Sequence, residues 1–162
     1  MLCKTNLCFT NQTRKEVNEF LMKRFSKNKH NVKVEKLVYD ENSQNVKIYK
    51  GLPIISRKTC KIKDFDDETI HICKNEMFKV KRLSNNKLTV DIECRDRPDI
   101  YFSIPVNLFN FYFKCAYAIT IHSSQGLTIK DDITIHEFSK FDNRLKYVSI
   151  SRCKSVNQLN FL

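Results

Sequence analysis

The chain has 162 residues and a formal net charge of +11, with 41% hydrophobic and 29% charged residues. That length suits one domain, or one domain carrying a small insertion, with enough apolar content for a proper core. No run approaches the ~20 apolar residues of a membrane span and the N-terminus shows no signal-peptide pattern, so we expect an intracellular chain with no membrane partner.

The positive excess favours a polyanionic partner, nucleic acid first. Composition offers a competing cause: Lys, Asn, Ile and Phe are plentiful, Ala and Gly are scarce and Trp is absent. A/T-rich coding of the kind found in some viral and protist genomes produces that bias, so part of the basicity can be drift. None of the seven cysteines forms a C-x-x-C pair, and Cys60, His71, Cys73 and Cys94 match no zinc-ligand spacing, so no metal is expected. Cys3, Cys8 and Cys115 lie in apolar runs and read as small core residues.

In chain order, Leu2–Phe9 reads as a short strand, Thr10-Asn11 as a loop, and Thr13 as the cap of a helix with Glu16 at the capping-box spacing. Val17, Phe20, Leu21 and Phe25 are expected to form its buried face. Val32–Tyr39 alternates like a half-wet strand, and Asp40–Asn45 is a polar turn. Strands are expected at Met77–Arg82, Leu88–Glu93 and Ile100–Pro105, with an acidic loop at Asp64–Glu68. Short strands at this spacing suggest a small antiparallel barrel. Asp132–His136 reads as a parallel strand, Lys140–Lys146 as a linker or short helix, Tyr147–Lys154 as a buried helix and Val156–Leu162 as a closing strand. The fold class is α/β: a parallel sheet with helices at both ends of the chain, interrupted by all-β material.

The most informative stretch is Cys115–Thr128. Ala116–Ile121 is an apolar strand, and His122-Ser123-Ser124-Gln125-Gly126 is a polar loop at its carboxyl end, where open α/β sheets hold ligands. An ordinary strand–turn–strand reads equally well from these residues alone. Gly51 and Gly126 are the only glycines, and one kept inside a polar loop points to a backbone position that a Cβ would not allow. With only these two, no P-loop can be drawn, because its bare amides must wrap phosphates at a fixed glycine spacing. Nor does an apolar strand end in the Asp-Glu that would hold magnesium.

Thr120-Ile121-His122-Ser123-Ser124-Gln125-Gly126 resembles motif V of superfamily 1 helicases, in the branch of the RecD-like and PIF-type enzymes. Tyr147-Val148-Ser149-Ile150-Ser151-Arg152-Cys153-Lys154-Ser155 resembles their motif VI. Thr10–Asn18 resembles the strand–helix segment that opens their second RecA-like domain, and Gly51-Leu52-Pro53-Ile54 a G-x-P-V segment between them. The motifs occur in the family's order and span almost the whole chain.

The resemblance implies a RecA-like domain over 1–49 and 111–162 with a small SH3-like β-barrel inserted at 50–110. It implies that Arg152 is an arginine finger reaching the γ-phosphate of ATP, with Gln125, Gly126, Tyr147 and Ser151 lining the nucleotide cleft. Thr120, His122 and Ser123 would face single-stranded DNA, and Thr10, Asn11 and Arg14 would touch either DNA backbone or nucleotide. Ser123 stands where relatives often carry Lys or Arg, which removes one cationic phosphate contact. ATP and Mg²⁺ would be held mainly by a first RecA-like domain, on the same or a separate chain, so this chain alone is expected to be inactive. Plainer readings stand beside these: Arg152 as a surface or capping arginine, His122 as a buried satisfied histidine, and Tyr147 as core packing. Two rival functions remain, a silent nucleic-acid-binding module and an interaction domain for a separate ATPase half.

Overall fold

The computed structural model describes residues 3–64 and 66–162. Leu2, the first residue of the expected opening strand, and Phe65 of the acidic loop lie outside the described residues. In chain order the elements are β1 (Thr5–Cys8), α1 (Asn11–Phe25), β2 (Asn31–Val34), β3 (Val46–Tyr49), β4 (Pro53–Ser56), β5 (Cys60–Lys63), β6 (Thr69–Ile72), β7 (Met77–Leu83), β8 (Thr89–Cys94), β9 (Tyr101–Pro105), α2 (Phe109–Tyr112), β10 (Phe113–Cys115), β11 (Ala118–Thr120), β12 (Ile133–Ile135), α3 (Asn143–Ile150) and β13 (Leu159–Phe161). They fall into two compact units, one made of residues up to Leu21 with Tyr117–Leu162, the other of Met22–Ala116. The expected insertion, 50–110, lies inside the second unit. Among the described residues no helix is long and apolar enough to cross a membrane.

The first unit is built on a parallel sheet in the order β11-β1-β12-β13. All its strands run the same way, so their carboxyl ends share one edge. Leu7, Cys8, Ile133 and Ile135 are fully buried, as strands in the middle of a parallel sheet require. α1 follows β1 after a tight loop. Its cap is Thr10, whose Oγ1 accepts from Thr13 N at 3.1 Å, and not Thr13; Glu16 instead accepts from Gln12 Nε2 at 2.6 Å. The buried face of α1 also differs from expectation. Val17 and Leu21 are buried, but Phe20 is 54% exposed, and Arg14 and Asn18 take the places beside Val17 and Leu21.

Asn18 explains the substitution of polarity for hydrophobicity there. Its Nδ2 donates to Ala118 O at 3.0 Å and its Oδ1 accepts from Ala118 N at 2.8 Å. β11 is the edge of its sheet, and Asn18 supplies the pairing a further strand would have given. A second buried amide, Asn6, donates to Cys3 O and Tyr117 O and pairs its Oδ1 with His136 Nε2 at 2.9 Å.

The second unit contains an antiparallel sheet in the order β10-β4-β7-β8-β9, with separate hairpins β2-β3 and β5-β6. β8 alternates buried and half-buried residues along its length, and Phe78 of β7, Phe102 of β9, Phe109 of α2 and Phe113 of β10 are buried together. Those rings meet at 5.3–6.2 Å, within the range aromatic pairs favour. A β-bulge between Val80 and Arg82 of β7 turns Lys81 and Arg82 outward and brings Leu83 back into the core. The strand expected over Val32–Tyr39 stops at Val34. Beyond it Val38 is 97% and Tyr39 76% exposed, because the following loop is held by side chains, Arg57 Nη1 on Asp40 at 3.1 Å and Leu37 N on Ser43 Oγ at 2.9 Å. The run expected as one strand, Ala116–Ile121, is likewise shorter, since β10 ends at Cys115 and β11 begins at Ala118.

Candidate functional site

The carboxyl edge of the parallel sheet gathers three segments of the first unit. Phe9-Thr10-Asn11 leaves β1, the 121–126 loop leaves β11, and His136-Glu137 leaves β12. In the second of these Thr120 Oγ1 donates to Ser123 Oγ at 3.0 Å and accepts from Ser123 N at 3.3 Å, which bends the chain into a single 3₁₀ turn over His122–Ser124. Ser124 is buried, its hydroxyl on Ile121 O at 2.7 Å, while His122, Gln125 and Gly126 are exposed. His122 is therefore not the buried, satisfied histidine of the plainer reading. Gly126 has φ +81, and a Cβ built there meets no atom within 4 Å, so glycine is needed for the dihedral and not for space.

α3 carries the second candidate segment to this loop. Asp142 caps it, Oδ1 accepting from Leu145 N at 2.7 Å. It spans Asn143–Ile150, earlier than expected, and is not a buried helix: of its residues only Ser149 is buried, and Tyr147 is 75% exposed. Core packing is thus excluded for Tyr147. At its carboxyl end Arg152 is half-buried and holds the preceding loop. Nη1 donates to Ser124 O and Leu127 O, each at 3.4 Å, Nε to Val148 O at 3.1 Å and Nη2 to Ser151 Oγ at 2.9 Å. The main chain joins too, Ile129 N donating to Arg152 O at 2.9 Å beside a parallel bridge from Ile129 to Cys153. Arg152, Ser151, Gln125 and Gly126 are brought together; Tyr147 lies on the exposed face of α3.

Thr10 and Asn11 sit at the start of α1, near Glu137. Arg14 is 1% exposed, with Nε on Asn11 Oδ1 at 3.0 Å, so its guanidinium does not face solvent. Glu137 was not singled out from the sequence. It adopts φ 60 and its Oε2 accepts from Thr10 N at 3.2 Å and Thr10 Oγ1 at 3.4 Å. The only local signal was an acidic residue directly after an apolar strand.

Ionisable groups under this edge have shifted titrations. Burial pushes the Cys8 thiol up to about 12, with the Glu137 carboxylate adding to the shift and Arg14 opposing it. Burial pushes His136 below its ordinary 6.5, against the pull of Glu137. For Glu137 burial alone would raise the carboxyl, but hydrogen bonds from Lys140, Thr13 and Thr10 outweigh it and hold it below 4.5. Stability should therefore be lost on both sides of neutrality. The unfolded chain takes up protons first at His136 as pH falls below 6.5, and at Glu137 as it falls below 4.5. On the alkaline side the unfolded Cys8 ionises first, from its ordinary 9.0 upward. Urea midpoints measured against pH should show wild type losing about 2 kcal/mol more than Cys8→Ala by roughly pH 10.5. Parallel alkaline limbs for the two proteins would refute the burial of that thiol.

The fold is similar to that of part of solved Pif1 helicases. Pif1 of Bacteroides bound to single-stranded DNA superposes with a TM-score of 0.66 at 18% identity, covering 97% of this chain and 40% of that one. The Candida albicans Pif1 helicase gives 0.64 at 16% identity, over 98% of this chain and 44% of that one, and Bacteroides Pif1 with ADP-AlF3 and single-stranded DNA gives 0.64 at 17% identity. The chain thus spans about 40% of the length of these helicases. Among curated sequences, the uncharacterised protein 030L of Invertebrate iridescent virus 6 is 25% identical over 147 residues, which is 87% of this chain and 26% of that protein. No protein-family model matches the chain.

Proposed function

We propose that this chain is the second motor domain of a superfamily 1 DNA helicase of the Pif1 kind, contributing an arginine finger and single-strand contacts to a complete ATP-driven enzyme. The observation that carries the reading is the junction of Arg152 with the loop after β11, its Nη1 lying on the carbonyls of Ser124 and Leu127. Two loops that resemble motifs V and VI in sequence are thereby one mechanical piece. Solved helicases of this fold, crystallised with single-stranded DNA or ADP-AlF3, support the same assignment of ligands.

In this reading His122 and Ser123, with the start of α1, hold phosphodiester oxygens through hydroxyl, imidazole and amide donors without reading bases. Gln125, Gly126, Ser151 and Arg152 face the nucleotide, and Tyr147 offers an exposed ring beside it. The P-loop and magnesium ligands come from a first RecA-like domain, on the same polypeptide or another. The five-stranded sheet of the second unit corresponds to an SH3-like barrel insertion.

The test is binding of the purified chain to single-stranded oligonucleotides across a salt series, with ATP turnover measured in parallel. Binding should be weak and indifferent to sequence, with log K falling by about 0.7 per phosphate neutralised for each decade of salt. Ser123→Lys should tighten it and steepen the slope by about one such contact. No turnover is expected with or without DNA. Binding that ignores salt would refute the strand interface, and DNA-stimulated turnover by the pure chain would refute the division of labour.

A further inference from the structure

Glu137 presents an anion where the proposed strand contact needs donors. It follows β12 by two residues, and its backbone is pinned in the left-handed region, with its N–H on Leu162 O at 2.8 Å and its carbonyl accepting from Lys140 N at 2.9 Å. That conformation costs a non-glycine residue on the order of 1 kcal/mol or more, so surrounding bonds must impose it. The turn carries the side chain back to the neighbouring strand's end. There Oε2 accepts from both the amide and the hydroxyl of Thr10, and Oε1 accepts from Lys140 Nζ at 2.9 Å. The Glu137 side chain is 15% exposed, the Lys140 side chain 62%.

The Thr10 amide and hydroxyl, with the Thr13 hydroxyl 2.9 Å from that of Thr10, are the kinds of donor that hold a phosphate oxygen at a helix start. In this structure a carboxylate of the chain itself already engages them. We infer that Glu137 is an internal competitor for the single strand: it occupies the Thr10 donors, and must withdraw before a phosphodiester can be held there. The inference rests on the reading of the strand interface given above. Lys140 gives the carboxylate somewhere to go, since its ammonium is bound to the other oxygen and lies toward solvent. Withdrawal exchanges one anion for another on the same donors, so Glu137 lowers strand affinity without being part of the grip.

The experiment measures binding of a labelled oligothymidylate to the full chain and to Glu137→Gln, Glu137→Asn and Thr10→Val variants across a salt series, with melting curves for each. Glu137→Gln keeps the shape and removes the charge; it should tighten binding by roughly 3- to 10-fold, the worth of one like charge removed from beside a phosphate. Its salt slope should steepen by about 0.7, one further phosphate contact. Glu137→Asn suits the left-handed backbone and is too short to reach Thr10, so it should tighten binding as well. Thr10→Val removes the hydroxyl donor, so the double variant with Glu137→Gln should lose part of the gain that Glu137→Gln gives alone. A residue that merely braces the loop gives the opposite result: both Glu137 variants bind equally or more weakly than a wild type that binds in a salt-dependent way. That outcome overturns the inference alone. If neither wild type nor variants bind single strands, the strand interface itself fails and the inference falls with it.

Discussion

Arg152→Ala, in this chain joined to a first motor domain that carries a P-loop, is expected to lower DNA-stimulated ATP turnover by roughly 10³–10⁵. In the proposed reading the guanidinium would supply permanent charge and a planar fork to the γ-phosphoryl group in flight, and alanine would supply neither. Arg152→Lys keeps the charge and loses the fork, so turnover should fall far more than ATP or strand affinity does. All three guanidinium nitrogens are engaged within the chain, on Val148, Ser124, Leu127 and Ser151. These bonds use four of the five guanidinium N–H groups, so in the proposed reading a phosphate would be met through the remaining Nη2 hydrogen or in exchange for one of them. Turnover and single-strand affinity are to be compared for both variants in the reconstituted pair. Unchanged turnover would show that Arg152 is not the finger, and an unfolded Arg152→Ala domain would show that its loop contacts are its main role.

Asn18→Leu is expected to destabilise the chain by about 2–5 kcal/mol, because it strips partners from two buried backbone groups at once. Ala118 and Asn18 are both fully buried, and the amide of Asn18 closes the N–H and the carbonyl of Ala118 on an edge strand. Leucine is close in size and gains hydrophobic transfer energy, yet offers neither donor nor acceptor. Against a total stability of roughly 5–15 kcal/mol for a domain, such a loss is severe. Asn18→Asp buries a carboxyl against Ala118 O, which repels it when ionised and accepts from it when protonated, so its loss should shrink as pH is lowered. Urea unfolding of the three proteins measures this. A loss below about 1 kcal/mol for Asn18→Leu would mean that β11 finds another partner.

Where residue type alone commits the backbone, the expectations held. Gly126 adopts the left-handed dihedral expected of a glycine kept in a polar loop. The alternation over β7, β8 and β9 marked strands within a residue of their ends, because one face of each is buried and the other wet. The β5-β6 hairpin went unnoticed. Cys60-Lys61-Ile62-Lys63 and Thr69-Ile70-His71-Ile72 are too short and too mixed for their pattern to stand out from loop, and only their pairing defines them.

Burial was less legible than strand position. An isolated helix pattern assigns Phe20 to the inside, whereas the structure exposes Phe20 and buries Arg14 and Asn18. Hydropathy counts the transfer of a side chain from water, but it does not see an edge strand whose amide and carbonyl need a partner. Tyr147 was likewise offered as core packing by its apolar neighbours, and α3 turns it outward.

Residue type and near neighbours were enough to place β1, α1, β7, β8, β9, β12 and β13 and the loops that carry polar groups at strand ends. Only the tertiary structure decided that the Ser124–Leu127 carbonyls receive Arg152, that Asn18 completes β11, and that Glu137 lies on Thr10. Those contacts join residues 25, 28, 100 and 127 positions apart. The Thr10–Glu137 contact arises because parallel strands bring their carboxyl ends to one edge, and the Asn18 contact because α1 lies along the edge strand β11; no local pattern of residue types records which distant side chain will meet there.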